Sequence, residues 1–263
     1  MENMNKMKKV KLVVQVLLMY CWAITIGHRI LNKYLYNMLG PESKAKLEPF
    51  KEIIFNSGEL NCLRNPDQID EGTDIKHNNY KSCKGEADEH TNLAVSYYKK
   101  GKYREAAYEL SYGFHYVQDM ACPVHRVSGI SSKNHQLYEN PTDPKDVLFK
   151  IYCTDYASCE DFQAVKDAYN DPNVGMGDKL TELLKKDNGT GNEVGFEILN
   201  RPAVKDYIAN RWSVWYGYYN PEPPNTPLPN TAKKRAIQDL ALAAAIQKRY
   251  LKSPGIKEEF FDK

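Results

Sequence analysis

Apolar residues recur at spacings of three and four along most of the chain, which is the pattern of helices that pack one face against a core. In the segment 26–39 the pattern ends before Gly40 and Pro41. Its apolar face consists of Ile26, Ile30, Leu31, Tyr34, Leu35 and Met38. Alternating apolar and polar runs are short, and no internal repeat is present. The pattern predicts an all-α fold in a single domain.

The same periodicity predicts further helices over residues 43–55, 86–100, 103–120, 135–151, 158–169, 177–186, 202–219 and 231–251. The helices expected at 86–100 and 103–120 should form an antiparallel pair joined at Gly101. Loops are predicted at 60–85, which is rich in Asn, Asp and Lys, and at 220–230, which contains five prolines. Thr231 is expected to cap the last helix.

Residues 1–21 have the layout of a secretory signal peptide, with four lysines followed by a mostly Leu and Val run. The apolar stretch from Leu12 to Ile26 is 15 residues long and contains Gln15. A membrane-spanning helix needs about 20 apolar residues. We therefore expect a signal peptide at 1–21 and one mature domain at 22–263; a short membrane anchor and the first helix of a cytosolic protein are the alternatives.

Composition and charge narrow the class of partner. The 263 residues are 42% hydrophobic and 27% charged, as in soluble globular proteins. The formal net charge is +2, but residues 1–21 hold four lysines and one glutamate, which leaves the rest of the chain at −1. Because the mature domain has no basic excess, its charge does not favour a nucleic-acid partner.

Three of the six histidines fall in one short segment, HYVQDMACPVHRVSGISSKNHQLYE. His115 with Asp119 and His135 with Glu139 have the helical spacing of four, so each pair projects from one helix face. His125 follows a proline that must end the first helix, so it can turn toward the same space. A single histidine–carboxylate pair at this spacing is more often an ordinary hydrogen bond. Two pairs with a histidine between them favour a zinc or similar divalent ion.

The pattern HxxxDx5Hx9HxxxE resembles that of the zinc-dependent phospholipase C family, which includes bacterial phosphatidylcholine-preferring phospholipases C and clostridial alpha-toxins. The resemblance extends to the upstream helix pair GEADEHTNLAVSYYKKGKYREAAYELSYGFHYVQD and to NPDQID, where His77 follows Asp67 by ten residues. It also includes the start at Trp22 and His28, and covers about residues 22–140. The resemblance implies a multi-helix bundle of the type shared with a sister family, the single-strand-specific zinc nucleases of fungi and plants.

The resemblance implies a cluster of three zinc ions. The residues it assigns are His77, His115 and Asp119 for the first ion, His125, His135 and Glu139 for the second, and Trp22, His28 and a bridging Asp119 for the third. Asp67 is expected beside the first ion, where it orients or deprotonates a water. Trp22 would bind through a free amine, so it is expected to be the mature N-terminus; cleavage after Ala23 would remove it. His90 is left as a solvated side chain.

The function implied is a secreted, monomeric phospholipase C that acts on phospholipid headgroups at a membrane surface, without a stable nucleic-acid partner. Gln68 stands where these enzymes have an aromatic residue that packs on choline, so a choline preference is not implied. The short spacing from Trp22 to His28 is closer to that of the nucleases, which are the alternative, whereas Glu139 favours the phospholipase because the nucleases usually have Asp there. A metal-binding or membrane-lesion protein without turnover would require a broken ligand set.

Overall fold

The structure, a computed structural model, describes residues 28, 31–55, 80–126, 176–219, 230–260 and 262. All regular elements within these residues are helical, which confirms the predicted all-α class. The α-helices are α1 (31–38), α2 (Pro41–Leu47), α3 (Lys51–Phe55), α4 (Tyr80–Lys99), α5 (Tyr103–Ala121), α6 (Met176–Lys186), α7 (Pro202–Tyr219), α8 (Asn230–Leu251) and α9 (Ile256–Phe260). Short 3₁₀ turns lie at Glu48–Phe50, Pro123–Arg126 and Phe196–Asn200.

Helix α5 is the central element, because 14 of its 19 residues are buried. It packs antiparallel against α4 along their whole length and also contacts α2, α3 and α8. The reversal between α4 and α5 is at Gly101, whose φ of 71° lies in the left-handed region that glycine adopts without steric cost. A central helix buried on nearly all sides places any polar residue it carries inside the protein.

Helices α4 and α5 are in close contact at Gly113. A Cβ atom at this position would lie 2.5 Å from Cγ2 of Thr91 and 3.2 Å from the carbonyl oxygen of Ala87. Thr91 cannot easily turn away, because its hydroxyl donates to the Ala87 carbonyl at 2.6 Å and lies 3.0 Å from the Tyr250 hydroxyl. The glycine therefore sets the distance between the two helices that carry the core.

Helix α9, the last helix of the described residues, is joined to α2 by hydrogen bonds. The backbone NH of Gly40, at the start of α2, donates to the carbonyl of Phe260 at 2.8 Å. The hydroxyl of Ser43 donates to the carbonyl of Glu259 at 2.9 Å. Phe260 itself is fully buried and its ring lies edge-on to Tyr98 of α4, with 5.0 Å between the centroids. This joint fixes α2, and through it the end of α1.

Several predicted boundaries differ from the structure. Helix α4 begins at Tyr80 and not near residue 86, because Cys83 and Ala87 already lie on a buried face that the polar residues of 80–86 concealed. The last long helix begins at Asn230, so Thr231 lies inside it. Pro49 opens a 3₁₀ turn that divides the helix expected over 43–55. Helix α9 and the other two 3₁₀ turns were not predicted.

The helices predicted at 135–151 and 158–169 lie outside the described residues, as does most of the loop predicted at 220–230. Among the helices that are described, none has both the length and the apolar character needed to cross a membrane.

Replacing Gly113 by alanine should destabilise the protein, because the added methyl group would contact Thr91 and the backbone of α4. Overpacking of this kind lowers the free energy of unfolding by about 1–3 kcal/mol. Gly85→Ala is the matched control: it lies in the same helix pair, is exposed and has open space around it. The control should raise the free energy of unfolding by about 0.5–1 kcal/mol through helix propensity. Urea denaturation measures both, and equal signs for the two variants would contradict this account of the helix contact.

Candidate metal centre

A buried carboxylate is the centre of the candidate site. His115 and Asp119 lie one turn apart on α5, with relative exposures of 0% and 2%. Nε2 of His115 is 3.3 Å from Oδ2 of Asp119. A carboxylate removed from water is strongly destabilised unless cations or hydrogen-bond donors surround it. The position of Asp119 on the most buried helix therefore requires positive partners.

Two further imidazoles reach this carboxylate from other segments. His28, which is helical and lies three residues before the range given for α1, places Nε2 at 3.7 Å from Oδ1 of Asp119. His125, in the 3₁₀ turn after α5, places Nε2 at 3.8 Å from the same oxygen. The ring of His28 also stacks on that of His115, with 4.3 Å between the centroids. Three rings from three segments thus face one carboxylate.

The spacing of these atoms fits a bound divalent ion. The ligand atoms of His28, His115 and Asp119 all lie within 4.8 Å of one another. Ligands of a tetrahedral zinc ion lie about 2.0–2.2 Å from the metal and therefore about 3.3–3.6 Å from each other. The imidazole nitrogens lie 3.3–3.8 Å from the oxygens of Asp119, which is close to this range, and the contacts of 3.7 and 3.8 Å are too long for direct hydrogen bonds. The donor set of imidazole and carboxylate is one that zinc and similar ions select.

His125 is held in place by the residue that follows it. The guanidinium of Arg126 donates to the carbonyl of Leu199 at 2.7 Å and lies 3.2 Å from the sulfur of Met120. Burial lowers the pKa of Arg126, although an arginine remains charged at neutral pH. These contacts attach the turn Pro123–Arg126 to α5 and to the turn Phe196–Asn200, which fixes the direction of the His125 side chain.

Two buried side-chain amides, those of Gln118 and Asn32, form a row of hydrogen bonds that ends at His28. Nδ1 of His28 lies 2.5 Å from Oε1 of Gln118. Nε2 of Gln118 donates to Oδ1 of Asn32 at 2.6 Å, and Nδ2 of Asn32 donates to the carbonyl of Ile54 at 2.8 Å. Asn32 and Gln118 are 0% and 3% exposed. This row of hydrogen bonds connects α5 to α1 and α3, and it ends at the candidate ligand.

The thiol of Cys83 is a near neighbour of the cluster. Burial raises its pKa, and the negative charge of Asp119 raises it further. The ligand atoms that lie within 4.8 Å of one another come from His28, His115 and Asp119 and do not include this thiol. The candidate ligand set is therefore one of imidazoles and carboxylate.

The prediction that His90 is solvated is wrong. Its side chain is only 22% exposed, and Nδ1 lies 2.7 Å from Oε2 of Glu109 on α5. Nε2 lies 3.7 Å from a carboxylate oxygen of Glu86 one turn earlier on α4. The ring also contacts Tyr112 edge-on at 5.2 Å. His90 thus links α4 to α5, and its two nitrogens face different carboxylates.

Four of the predicted site residues are brought together by the structure: His28, His115, Asp119 and His125. The resemblance had assigned these four to three different ions, and the structure places them around one carboxylate. The other predicted site residues lie outside the described part of the chain: Trp22, Asp67, His77, His135 and Glu139.

Sequence reasoning missed Gln118 and Asn32. A signal for each was present in the spacing. Gln118 lies three residues after His115, on the same face of α5, and Asn32 lies four residues after His28. Asparagine and glutamine are not typical zinc ligands; here Gln118 contacts the candidate ligand His28, and Asn32 contacts Gln118.

Removal of the central charge should abolish metal binding at this site. In the metal-free full chain, added zinc should raise Tm, because an ion bound only by the folded state stabilises it by about 2.7 kcal/mol at 100 times Kd. Asp119→Asn should lose this increase, since the amide carries no negative charge. His90→Gln is the control, because it removes a half-buried histidine that binds Glu109 instead of Asp119. Thermal melts with and without zinc measure this increase in Tm. If zinc still raises the Tm of Asp119→Asn, the ion binds elsewhere.

A comparison of the chain with protein-family models, with curated proteins and with solved structures finds no match. A function is therefore argued from the motif in the sequence and from the buried cluster around Asp119.

Proposed function

We propose that the protein is a zinc-dependent phosphodiester hydrolase, a secreted phospholipase C that cleaves phospholipids to diacylglycerol and a phosphorylated headgroup. The observation that carries the proposal is the buried Asp119 carboxylate with imidazole nitrogens of His28, His115 and His125 at 3.3–3.8 Å. These four residues belong to the same pattern, HxxxDx5Hx9HxxxE and the upstream histidine, that resembles the phospholipase C family.

The ligands proposed for the full cluster of three zinc ions are Trp22, His28, Asp67, His77, His115, Asp119, His125, His135 and Glu139. Bound zinc would neutralise charge on a phosphodiester and lower the pKa of a coordinated water to about 7. The two oxygens of Asp119 face different histidines, Oδ2 toward His115 and Oδ1 toward His28. A carboxylate in this position is suited to the bridging role that the resemblance implies.

The remaining steps belong to side chains of the protein. Asp67 is proposed to orient the attacking water and to accept its proton, which is the task of a general base. The imidazoles are held in position because Arg126 attaches the turn that carries His125 and Gln118 contacts His28. Burial of His115 and Asp119 excludes bulk water from this side of the cluster and strengthens its electrostatic interactions.

The alternative function is a single-strand-specific zinc nuclease. It is favoured by the short spacing between Trp22 and His28. Gln68, which replaces the aromatic residue expected for choline, leaves the headgroup preference open. Glu139 and the absence of a basic excess outside residues 1–21 favour the phospholipase. Secretion through a leader at 1–21, with Trp22 as the mature N-terminus, is part of the proposal because the amine of Trp22 binds a metal only when it is free.

A substrate panel tests the proposal. The purified protein should hydrolyse vesicles of phosphatidylcholine, phosphatidylethanolamine or phosphatidylserine faster than single-stranded DNA, and the same sample should contain close to three zinc ions. Asp119→Asn should be inactive and poor in zinc, and His90→Gln should keep both. Hydrolysis of DNA alone would favour the nuclease. A zinc content below one per chain after gentle purification, together with no hydrolysis of either substrate, would refute a zinc hydrolase.

Asp67→Asn tests the proposed base. The amide is nearly isosteric with the carboxylate but cannot accept a proton, so the variant should lose about 10²- to 10⁴-fold in kcat. Its zinc content and Tm should change far less than those of Asp119→Asn, since three stronger ligands remain around the first ion. A near-normal kcat would show that another group accepts the proton.

A further inference from the structure

A row of hydrogen bonds runs from the Ile54 carbonyl through Asn32 and Gln118 to His28. The donor and the acceptor of each of these bonds can be assigned. A backbone carbonyl oxygen can only accept a hydrogen bond. The group of Asn32 that lies 2.8 Å from the Ile54 carbonyl must therefore be the amide nitrogen Nδ2. This orients the whole Asn32 amide, so its oxygen Oδ1 faces Gln118.

The same reasoning applies to each following contact. Because Oδ1 of Asn32 accepts, the atom of Gln118 that lies 2.6 Å from it must be the donor Nε2. The oxygen Oε1 of Gln118 then faces Nδ1 of His28 at 2.5 Å. An amide oxygen has no hydrogen to give, so Nδ1 of His28 must carry one. The Ile54 carbonyl thus determines the position of a proton three groups away.

A proton on Nδ1 leaves Nε2 of the neutral ring with a lone pair and no hydrogen. This nitrogen is the one that points to Asp119, at 3.7 Å from Oδ1. A lone pair that faces a buried carboxylate is unfavourable by itself, and a cation between the two atoms removes the conflict. The opposite tautomer would place a hydrogen where the metal has to bind.

We infer that Gln118 and Asn32 are positioning residues, which hold His28 in the tautomer whose unprotonated Nε2 binds the metal. The inference rests on the metal centre of the proposed function and adds a role for two residues that do not touch the ion. Such supporting contacts commonly contribute about 10- to 100-fold to metal affinity. Burial supports the role, since an amide at 0% or 3% exposure is costly unless all its contacts are made.

The tautomer can be measured without metal. Two-bond ¹H–¹⁵N correlation spectra of the metal-free full chain, recorded at mildly alkaline pH, distinguish the two neutral forms of a histidine ring, and His28→Asn assigns the signal. We expect the form with the proton on Nδ1 in the unmodified chain. A proton on Nε2 would overturn the inference, even if zinc binds and phosphodiesters are cleaved. The expected tautomer in a chain without hydrolytic activity would sustain the inference and refute the proposed function.

Variants at Gln118 test whether this residue is the cause. Gln118→Met removes the acceptor at similar length and should bind zinc about 10- to 100-fold more weakly, with a mixture of tautomers at His28. Gln118→Glu keeps an acceptor facing Nδ1, so it should keep the tautomer and bind zinc about 10- to 100-fold more tightly than Gln118→Met does. Chelator competition measures the affinities. Loss of affinity in the glutamate variant equal to that in the methionine variant would contradict the hydrogen-bond account.

Gln247→Met is the matched control. Gln247 is also a fully buried glutamine, on α8, and its side-chain amide has no hydrogen-bond partner among the described residues. This variant should leave the His28 tautomer and the zinc affinity unchanged, which separates the effect of the acceptor from that of burying a thioether. If Gln118→Met and Gln247→Met lowered zinc affinity equally, general loosening of the core would explain the result and the inference would fail.

Discussion

The electrostatics of one buried carboxylate impose the main constraint on this structure. Asp119 lies on the most buried helix, at 2% exposure, where an unpaired negative charge would oppose folding. The chain meets this constraint by bringing imidazoles from before α1 and after α5 to within 3.8 Å of its oxygens. The positions of three segments therefore depend on one side chain. A divalent ion between the ligands would offset the free energy that burial of the Asp119 carboxylate costs.

The scaffold and the site share one helix, which explains why packing and chemistry are linked. Gly113, which sets the α4–α5 distance, is only two residues from His115. Tyr116 follows Gly113 by three residues on α5, and its ring lies 5.7 Å from that of His115 and 6.0 Å from that of His90 on α4. A change in the separation of α4 and α5 would thus move the candidate ligand together with the core that surrounds it.

The sequence was most informative where spacing alone determines geometry. His115 and Asp119 share a face because they are four residues apart on a helix, and the structure confirms this contact. The start of α4 was predicted six residues too late because Gly85 and its polar neighbours concealed the buried Cys83. The contact between His28 and Gln118 spans 90 residues, so it depends on how α1 packs against α5 and no local pattern contains it. The ligands of helical spacing were therefore predictable, and the amides that orient them were not.

The joint between α2 and α9 has a consequence for synthesis of the chain. The hydrogen bond from Ser43 to the Glu259 carbonyl spans 216 residues. At the usual rate of about 5–20 residues per second, a ribosome needs about 10–40 s to extend the chain from one partner to the other. During that interval α2 has been made but has no α9 to pack against, and the buried side of Tyr98 that Phe260 covers stays open. Nascent chains of this protein therefore present an apolar surface for a long time, and that surface is where a chaperone would be expected to bind during translation.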